Sequence, residues 1–311
     1  MSFSIVFPGQ GSQSVAMLSG LADEFPIVKE TFAQASDVLE YDLWALVKEG
    51  PIEKLNETTV TQPAMLASGI ACWRVWQQQE SKMPASFAGH SLGEYTALVA
   101  TNSLQFTDAI KLVAERARLM QEAVPVGIGA MAAILGLDNE LVIKVCIDSA
   151  QGEIVSAVNF NSLGQVVIAG NKTAVDRAIV LAKDAGAKRA LLLPVSVPSH
   201  CALMKPAADK LAEVLTSIEI KTPDTPVIHN VDVQHYTEAE KIKNALTNQL
   251  HQPVQWVDCV NAIAKSGSTK MIECGPGKVL TGLVKRINKS LSCVALYDKD
   301  SLDKAKAFIN E

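Results

Sequence analysis

The sequence lacks the features that mark secreted, membrane-spanning or metal-binding proteins. Its six cysteines are scattered along 311 residues without a C-x-x-C pair, and its five histidines show no ligand spacing with them. We therefore expect reduced thiols, no disulfide framework and no metal site. No apolar run approaches the roughly 18 residues of a membrane span, and residues 1–21 contain no lysine or arginine. Because a secretory signal begins with basic residues, we expect a cytoplasmic protein.

Positive charge and phosphate-binding loops are also missing. The chain has 28 basic and 33 acidic residues, a net charge of −5, so a nucleic-acid partner is not expected. Ser14 stands where a dinucleotide fingerprint needs its third glycine, and Ile272 where a phosphate loop before Lys278 needs its first. With 48% hydrophobic residues, the chain can bury one large domain with an insertion, or two domains.

One stretch does carry a chemical pattern, Gly89-x-Ser91-x-Gly93, which is typical of a nucleophile elbow. A short buried strand is expected to end at Ala88 and a helix to begin at Leu92. A serine on such a sharp turn stands clear of the sheet, and the N–H of Leu92 points toward whatever the hydroxyl attacks. A glycine-rich turn with an incidental serine has the same pattern, so both interpretations stay open at this point.

Arg116 lies within an apolar stripe of a helix predicted over residues 107–123. Its neighbours three and four positions away are all apolar: Leu112, Val113, Leu119 and Met120. Arg118, on the next face, has polar and charged neighbours instead. A guanidinium cannot lose its charge in a core and needs an anionic partner. That partner could be a ligand, or the side chain could form an internal salt bridge or reach solvent at the edge of the stripe.

Residues 125–196 have the pattern of a separate compact unit. The predicted order is a strand at 130–136, a helix at 138–150 capped by Asp138, strands at 154–160 and 165–169 joined by a hairpin at 161–164, a helix at 172–185 and a strand at 189–195. This β-α-β-β-α-β order predicts a ferredoxin-like subdomain. It interrupts an outer α/β domain made of residues 1–124 and 197–311, with a cleft between the two bodies.

In the outer domain we expect a strand at 3–7, helices at 21–39, 41–49, 52–56 and 62–80, a linker at 58–63, a strand at 226–233, helices at 239–250, 256–266 and 279–290, and strands at 270–274 and 294–296. His200 precedes a helix running to about residue 215, a position that favours the neutral imidazole needed in a general base. A lone histidine is more often a structural group, so both interpretations stay open at this point. Gln249 lies at a helix end, where carbonyl groups lack intrahelical partners.

Together these segments resemble the malonyl-CoA:acyl-carrier-protein transacylases of bacterial type II fatty-acid synthesis, over essentially the whole chain. The matching segments are Phe7-Pro8-Gly9-Gln10-Gly11-Ser12, Thr61-Gln62-Pro63-Ala64, Gly89 to Tyr95, Arg116, Pro198-Ser199-His200, Gln249 and Gly275-Pro276-Gly277-Lys278. The resemblance implies an α/β fold in which a hydrolase-like large subdomain with a parallel sheet carries the ferredoxin-like subdomain. Leu163 departs from the family, where a proline is expected.

The resemblance also implies catalytic roles. Ser91 would be the nucleophile and His200 the base, oriented by the main-chain carbonyl of Gln249 instead of a carboxylate. The N–H groups of Gln10 and Leu92 would form the oxyanion hole.

Substrates and partners follow from the same resemblance. Arg116 would bind the free malonyl carboxylate with two hydrogen bonds, with Gln62 close by. Malonyl-CoA and an acyl carrier protein would be the substrates of a ping-pong reaction by a monomer that needs no metal or bound cofactor. Carrier proteins are acidic, so we expect docking on the basic residues Lys278, Lys285, Arg286 and Lys289, although a solvated helix face has the same pattern.

Two other functions remain open on the residues alone. A serine hydrolase would share the elbow but would not need Arg116. A degenerate acyltransferase fold could bind a carrier protein without catalysis, although intact Ser91 and His200 argue against this.

Overall fold

The computed structural model of the chain describes residues 2–195 and 197–311 and contains two separate β-sheets. One is parallel and the other antiparallel, which confirms the α/β class and the two-part organisation. The proposed subdomain boundaries stay a prediction. Two residues at those limits, Met1 and Ser196, lie outside the described ranges.

The larger sheet is formed by five parallel strands. These are β1 (Ser2–Phe7), β2 (Ser86–Gly89), β7 (Val227–Ile228), β8 (Ser268–Cys274) and β9 (Ser292–Leu296), in the order β7-β2-β1-β8-β9. Side chains alternate across the central strand β1: Ile5 and Phe7 join the core on one face, and Val6 joins the core on the other. Helices therefore cover both faces, as parallel sheets require.

The smaller sheet is formed by β3 (Gly129–Leu135), β4 (Val155–Ser162), β5 (Gln165–Asn171) and β6 (Arg189–Leu192), in the order β4-β5-β3-β6. All its pairings are antiparallel. Helices α8 (Asn139–Ala150) and α9 (Lys172–Asp184) follow β3 and β5, and the Asp138 side chain accepts from the N–H of Leu141 as an N-cap. The predicted ferredoxin-like topology is confirmed.

The remaining helices surround the larger sheet. They are α1 (Ser19–Glu24), α2 (Pro26–Leu39), α3 (Leu43–Glu49), α4 (Ile52–Leu55), α5 (Thr58–Gln79), α6 (Gly93–Ala100), α7 (Phe106–Ala123), α10 (Lys205–Thr216), α11 (Ala239–His251), α12 (Trp256–Lys265), α13 (Val279–Ile287) and α14 (Lys299–Asn310). None of the helices in the described ranges combines the length and apolar character needed to cross a membrane.

Three predicted elements were wrong, and one helix was missed. The linker expected at 58–63 is the start of α5, which contains Pro63. The helix expected at 21–39 is divided in two at Pro26, which begins α2 because proline suits a first helical position. The strand expected at 226–233 has only two residues, since a turn closes between His229 and Gln234. Helix α14 was not predicted, although its N-cap Asp298 forms a capping box with Ser301.

The two sheets are joined next to their shared crevice. Strand β4 runs beside the segment after α11, where the N–H of Val254 donates to the carbonyl of Val158 (2.9 Å) and the N–H of Phe160 donates to the carbonyl of Val254 (3.1 Å). The inner face of the smaller sheet is thereby held over the carboxyl ends of β1 and β2, where ligand sites form in open α/β sheets.

Candidate active site

Ser91 occupies a sharp turn between β2 and α6. Its φ is +51°, in the left-handed region that a non-glycine residue seldom adopts. The two flanking glycines make the turn possible. A Cβ on Gly89 would lie 1.9 Å from the carbonyl group of Gly93, and a Cβ on Gly93 would lie 2.2 Å from the carbonyl oxygen of Phe7. The arrangement predicted from the sequence pattern is present in the structure.

A side chain that was not predicted from the sequence holds this turn in place. Asn230 accepts a hydrogen bond from the N–H of Ser91 (2.7 Å) and donates one to the carbonyl of Gly89 (2.8 Å). Strained backbone persists only where its surroundings fix it in this way. Asn230 comes from the turn after β7, 139 positions away in sequence, so no local pattern indicates its role.

Ser91, His200 and Gln249 form one hydrogen-bonded chain. The Oγ of Ser91 lies 2.8 Å from Nε2 of His200, and Nδ1 of His200 lies 2.6 Å from the main-chain oxygen of Gln249. Because a carbonyl oxygen only accepts, Nδ1 carries the proton and Nε2 has a lone pair facing the hydroxyl. This is the arrangement in which a histidine can take a proton from serine.

His200 is kept neutral by its surroundings. Burial first, and then the positive charge of Arg116, lower its pKa to about 3, although the hydrogen bond to the carbonyl of Gln249 opposes them. The imidazole is 3% exposed and therefore poorly placed to carry a charge. From the sequence, a helix N-terminus was expected to favour the neutral form. In the structure a short 3-10 turn, Ala202–Met204, lies between His200 and α10, and burial is the larger cause.

Arg116 reaches the same place from α7. It is 1% exposed, whereas Arg118 is exposed, as its polar and charged neighbours predicted. Arg118 also pairs with Glu115 and Glu122. The Arg116 guanidinium donates to Oε1 of Gln62 (2.7 Å) and, through its second terminal nitrogen, toward Oε1 of Gln249 (3.1 Å) and Oγ of Ser91 (3.4 Å).

No carboxylate within the described residues pairs directly with Arg116, so the internal salt bridge considered above is wrong. Burial lowers the pKa of Arg116, and the nearby Tyr95 and Glu94 raise it. A guanidinium is not deprotonated inside a protein, so Arg116 stays charged. Its partners are neutral oxygens and the ring of Tyr95, whose centroid lies 5.4 Å from the guanidinium carbon. A buried cation without an anionic partner is prepared for an anionic ligand.

The N–H groups of Gln10 and Leu92 complete the site. Both residues line a cavity of about 280 Å³ together with Ser91, Arg116 and His200. Neither N–H has an acceptor within the part of the chain that the structure describes. The N–H of Leu92 is free because the residue precedes the first turn of α6. Two free donors beside a nucleophile can bind an oxyanion.

The smaller sheet forms the opposite wall of the cavity. Its contributions are uncharged: Met131, Ala133, Asn159, Asn161, Gln165 and Val167. Asn161 connects the two parts, because its Oδ1 lies 2.8 Å from Nε2 of His90, the residue before the nucleophile. The sequence placed Asn161 in a hairpin turn. In the structure it belongs to β4, and the turn consists of Leu163 and Gly164 alone.

These groups fit one class of protein: α/β acyl-transferring proteins in which a serine, hydrogen-bonded to a neutral histidine, lies beside a buried cation. Within the described ranges, no group of three or more His, Cys, Asp or Glu side chains could hold a metal ion.

Comparison with known proteins gives the family. The model of the acyl transferase domain family matches residues 4–308, and the chain belongs to this family. The malonyl CoA-acyl carrier protein transacylase of Salmonella typhimurium is 59% identical over 303 residues, which are 97% of this chain and 98% of that protein.

Solved structures agree with this assignment. An acyl carrier protein S-malonyltransferase from Vibrio cholerae has 61% identity and a TM-score of 0.95, covering 98% of this chain and all of that one. A malonyl-transacylase solved with its type II polyketide-synthase acyl-carrier protein has 58% identity and a TM-score of 0.98 over the full length of both chains.

Proposed function

We propose that this chain transfers a malonyl group from malonyl-CoA to the phosphopantetheine thiol of an acyl carrier protein, through a malonyl-serine intermediate. The observation that carries the proposal is one cavity holding Ser91 against neutral His200, with the buried charge of Arg116 3.4 Å from the same hydroxyl. Close relatives bearing the transacylase name support it.

In the first half-reaction, His200 takes the proton of the Ser91 hydroxyl as the oxygen attacks the thioester carbonyl. The N–H groups of Gln10 and Leu92 stabilise the oxyanion, and loss of one such donor typically costs about 100- to 1,000-fold in rate. The C–S bond then breaks, and the protonated imidazole returns its proton to the departing CoA thiolate. Malonyl-serine and free CoA thiol are the products.

The second half-reaction is the reverse process with a different thiol. His200 removes the proton of the carrier thiol, which attacks the malonyl ester of Ser91, and the proton passes back to the serine oxygen. Arg116 holds the malonyl carboxylate through both halves with its two terminal nitrogens. Thioester is exchanged for thioester, so an equilibrium near unity is expected, with no bound cofactor required by either half.

The carrier protein is proposed to dock on the basic face of α13 and the residues beside it. Lys278, Lys285, Arg286 and Lys289 are all exposed, and none forms an ion pair with a described residue. Arg286 also donates to Oε1 of Gln165 (2.9 Å), whose side chain lines the cavity. The patch therefore adjoins the entrance that a pantetheine arm would use.

Intact-protein mass spectrometry tests the proposed chemistry. Wild type mixed with malonyl-CoA should gain one malonyl group, which should leave on addition of carrier protein and appear on it. Ser91→Ala should gain none. An adduct lost to water as fast as to the carrier would instead indicate a hydrolase, and a wild type that is never acylated would indicate a carrier-binding protein without catalysis.

Charge reversal tests the docking surface. The double variant Lys285→Glu and Arg286→Glu should raise the Michaelis constant for the carrier protein and leave that for malonyl-CoA unchanged. Lys304→Glu with Lys306→Glu on α14 is the matched control, because it changes the net charge equally at another place on the surface. Equal effects on both substrates would contradict docking at α13.

A further inference from the structure

A buried carboxylate lies directly beneath the proposed nucleophile and takes no part in the mechanism above. Glu94, in the first turn of α6, is fully buried. Its oxygens accept hydrogen bonds from Nδ1 of His229 (2.7 Å), the N–H of Asn230 (2.9 Å) and Nε2 of Gln249 (3.0 Å). A charge in such a place needs partners of this kind, but two of the three also lead directly to the reacting groups.

Asn230 and Gln249 each connect Glu94 to the active site. Asn230 fixes the turn through its side-chain bonds to Gly89 and Ser91. Gln249 has more contacts: its Nε2 also donates to the main-chain oxygen of Ser91 (2.9 Å), and its own main-chain oxygen accepts from His200. The nucleophile and the base are therefore both held by residues that Glu94 holds.

The Gln249 amide lies between opposite charges, and this determines its orientation. A guanidinium only donates and a carboxylate only accepts, so the amide can satisfy both only with Oε1 toward Arg116 and Nε2 toward Glu94. Glu94 thus balances the charge of Arg116 from one amide away. A direct ion pair would instead occupy the guanidinium that the malonyl carboxylate is expected to bind.

We propose that Glu94 is a positioning residue for this reaction, which through Gln249 keeps Arg116 aimed at the acyl carboxylate and through Asn230 and Gln249 keeps Ser91 and His200 aligned. This inference rests on the proposed function. It requires a loss of Glu94 to slow acylation by every donor, and to slow acylation by malonyl-CoA more than by acetyl-CoA, which offers Arg116 no carboxylate.

The test compares the rates at which malonyl-CoA and acetyl-CoA acylate Ser91 in wild type and Glu94→Gln. The ratio of the two rates does not depend on how much of a sample is folded. Glu94→Gln should reduce the malonyl rate by about 10- to 100-fold, the range expected when reacting groups shift by up to an ångström. The malonyl-to-acetyl ratio should fall with it.

Glu273→Gln is the matched control. Glu273, near the end of β8, is also fully buried, and its carboxylate accepts from the N–H of Leu280 (3.0 Å) and the N–H of Thr281 (2.7 Å) at the start of α13. It does not line the cavity. This variant should lose thermal stability and keep the wild-type ratio. The same result for Glu94→Gln, with both rates reduced equally, would overturn the inference.

A double-mutant cycle tests whether Glu94 acts through Gln249. Gln249→Ala removes the amide but keeps the main-chain carbonyl, so adding Glu94→Gln to it should change the ratio little further. If Glu94→Gln lowers the malonyl-to-acetyl ratio as much in Gln249→Ala as in wild type, Glu94 does not act through Gln249. If Glu94→Gln yields little folded protein, Glu94→Asp keeps the charge on a shorter side chain and should lower the ratio as well.

The outcomes separate the inference from the function on which it rests. A wild type that never forms malonyl-serine would overturn both. A wild type that forms it, with an unchanged ratio in both Glu94 variants, would overturn only the role of Glu94.

Discussion

The parallel and antiparallel sheets face the same cavity but contribute different chemistry to it. Every ionisable side chain that lines the cavity among the described residues comes from the parallel-sheet part, His200 and Arg116 foremost. The antiparallel sheet contributes apolar and amide side chains such as Met131, Asn159 and Gln165. The parallel-sheet part therefore holds the groups that are proposed to react, and the antiparallel sheet encloses them.

The difference follows from how the two sheets are built. Strands β1 and β2 are parallel, so both end at the same edge, followed by the Gln10 loop and the Ser91 turn. Free N–H groups gather at that edge because α6 begins there. An antiparallel sheet collects no such groups, but its uncharged inner face can exclude water from the proposed acyl-enzyme. Substitutions in the parallel-sheet part should abolish the reaction. Substitutions in the antiparallel sheet should instead change the rate of the competing hydrolysis.

The largest effect is expected from removing the base. His200→Ala should lower the rate of malonyl-serine formation by about 10⁴-fold or more, because a serine hydroxyl without a base is a weak nucleophile. Stopped-flow mixing with malonyl-CoA and intact mass measurement gives the rate. His235→Ala, at an exposed histidine, is the control and should react as wild type does. A His200→Ala variant within 10-fold of wild type would exclude His200 as the base.

A smaller effect, specific to the acyl group, is expected at the buried cation. Arg116→Ala should lower the preference for malonyl-CoA over acetyl-CoA by roughly 100-fold, since hydrogen bonds to a charged group contribute about 1.5–3 kcal/mol each. Arg118→Ala, two positions along the same helix and exposed, should keep the preference. Competition between the two donors, followed by mass spectrometry, measures it directly. A hydrolase without a carboxylate site would respond equally to both substitutions.

The next-largest effect is expected from the antiparallel sheet. Asn161→Ala removes the hydrogen bond to His90 and should raise hydrolysis of malonyl-CoA in the absence of carrier by about 5-fold, the value of one neutral hydrogen bond. Acylation of Ser91 should change less. Ser162→Ala, at the next position of β4, removes a buried hydroxyl without a partner and should leave hydrolysis unchanged. Unchanged hydrolysis in Asn161→Ala would show that this wall does not exclude water.

The sequence was most informative where one residue type alone satisfies a local requirement. Gly89 and Gly93 are needed by close backbone contacts, and Arg116 is conspicuous because an apolar stripe does not normally contain a guanidinium. The ferredoxin-like unit was predictable for a similar reason, since turn residues and changes of hydrophobic period mark each of its elements.

Prediction failed where distant contacts decide the structure. Pro63 suggested a linker, but α5 continues through it because most of this helix is buried, and burial outweighs one lost backbone hydrogen bond. Asn230 and the role of Glu94 depend on groups more than 130 positions apart, which no local pattern can reveal. By contrast, α14 carried a readable signal in its Asp298 cap, although no helix was predicted there.

The smallest expected effect concerns pH. A histidine with the ordinary pKa of 6.5 would lose about 30-fold of its neutral form between pH 8 and pH 5. His200, whose pKa burial and Arg116 lower to about 3, stays neutral throughout that range. The rate of malonyl-serine formation should therefore change by less than about 2-fold from pH 8 to pH 5. Single-turnover acylation followed across this range measures it, and a decline centred near pH 6.5 would contradict a buried neutral base.

Two further measurements sharpen this result. Removing the charge in Arg116→Ala should raise the pKa of His200 and move any decline in the acetyl-CoA reaction to higher pH, whereas Arg118→Ala should not. Protein stability should also depend on pH, and the sign follows from the same pKa shift. The pKa of His200 is lower in the folded chain than in the unfolded chain, so the unfolded chain takes up a proton first as pH falls. The contribution of neutral His200 to the free energy of unfolding is therefore fully present above about pH 6.5 and is lost as pH falls toward 3. Circular dichroism at each pH separates such unfolding from a true titration of the base.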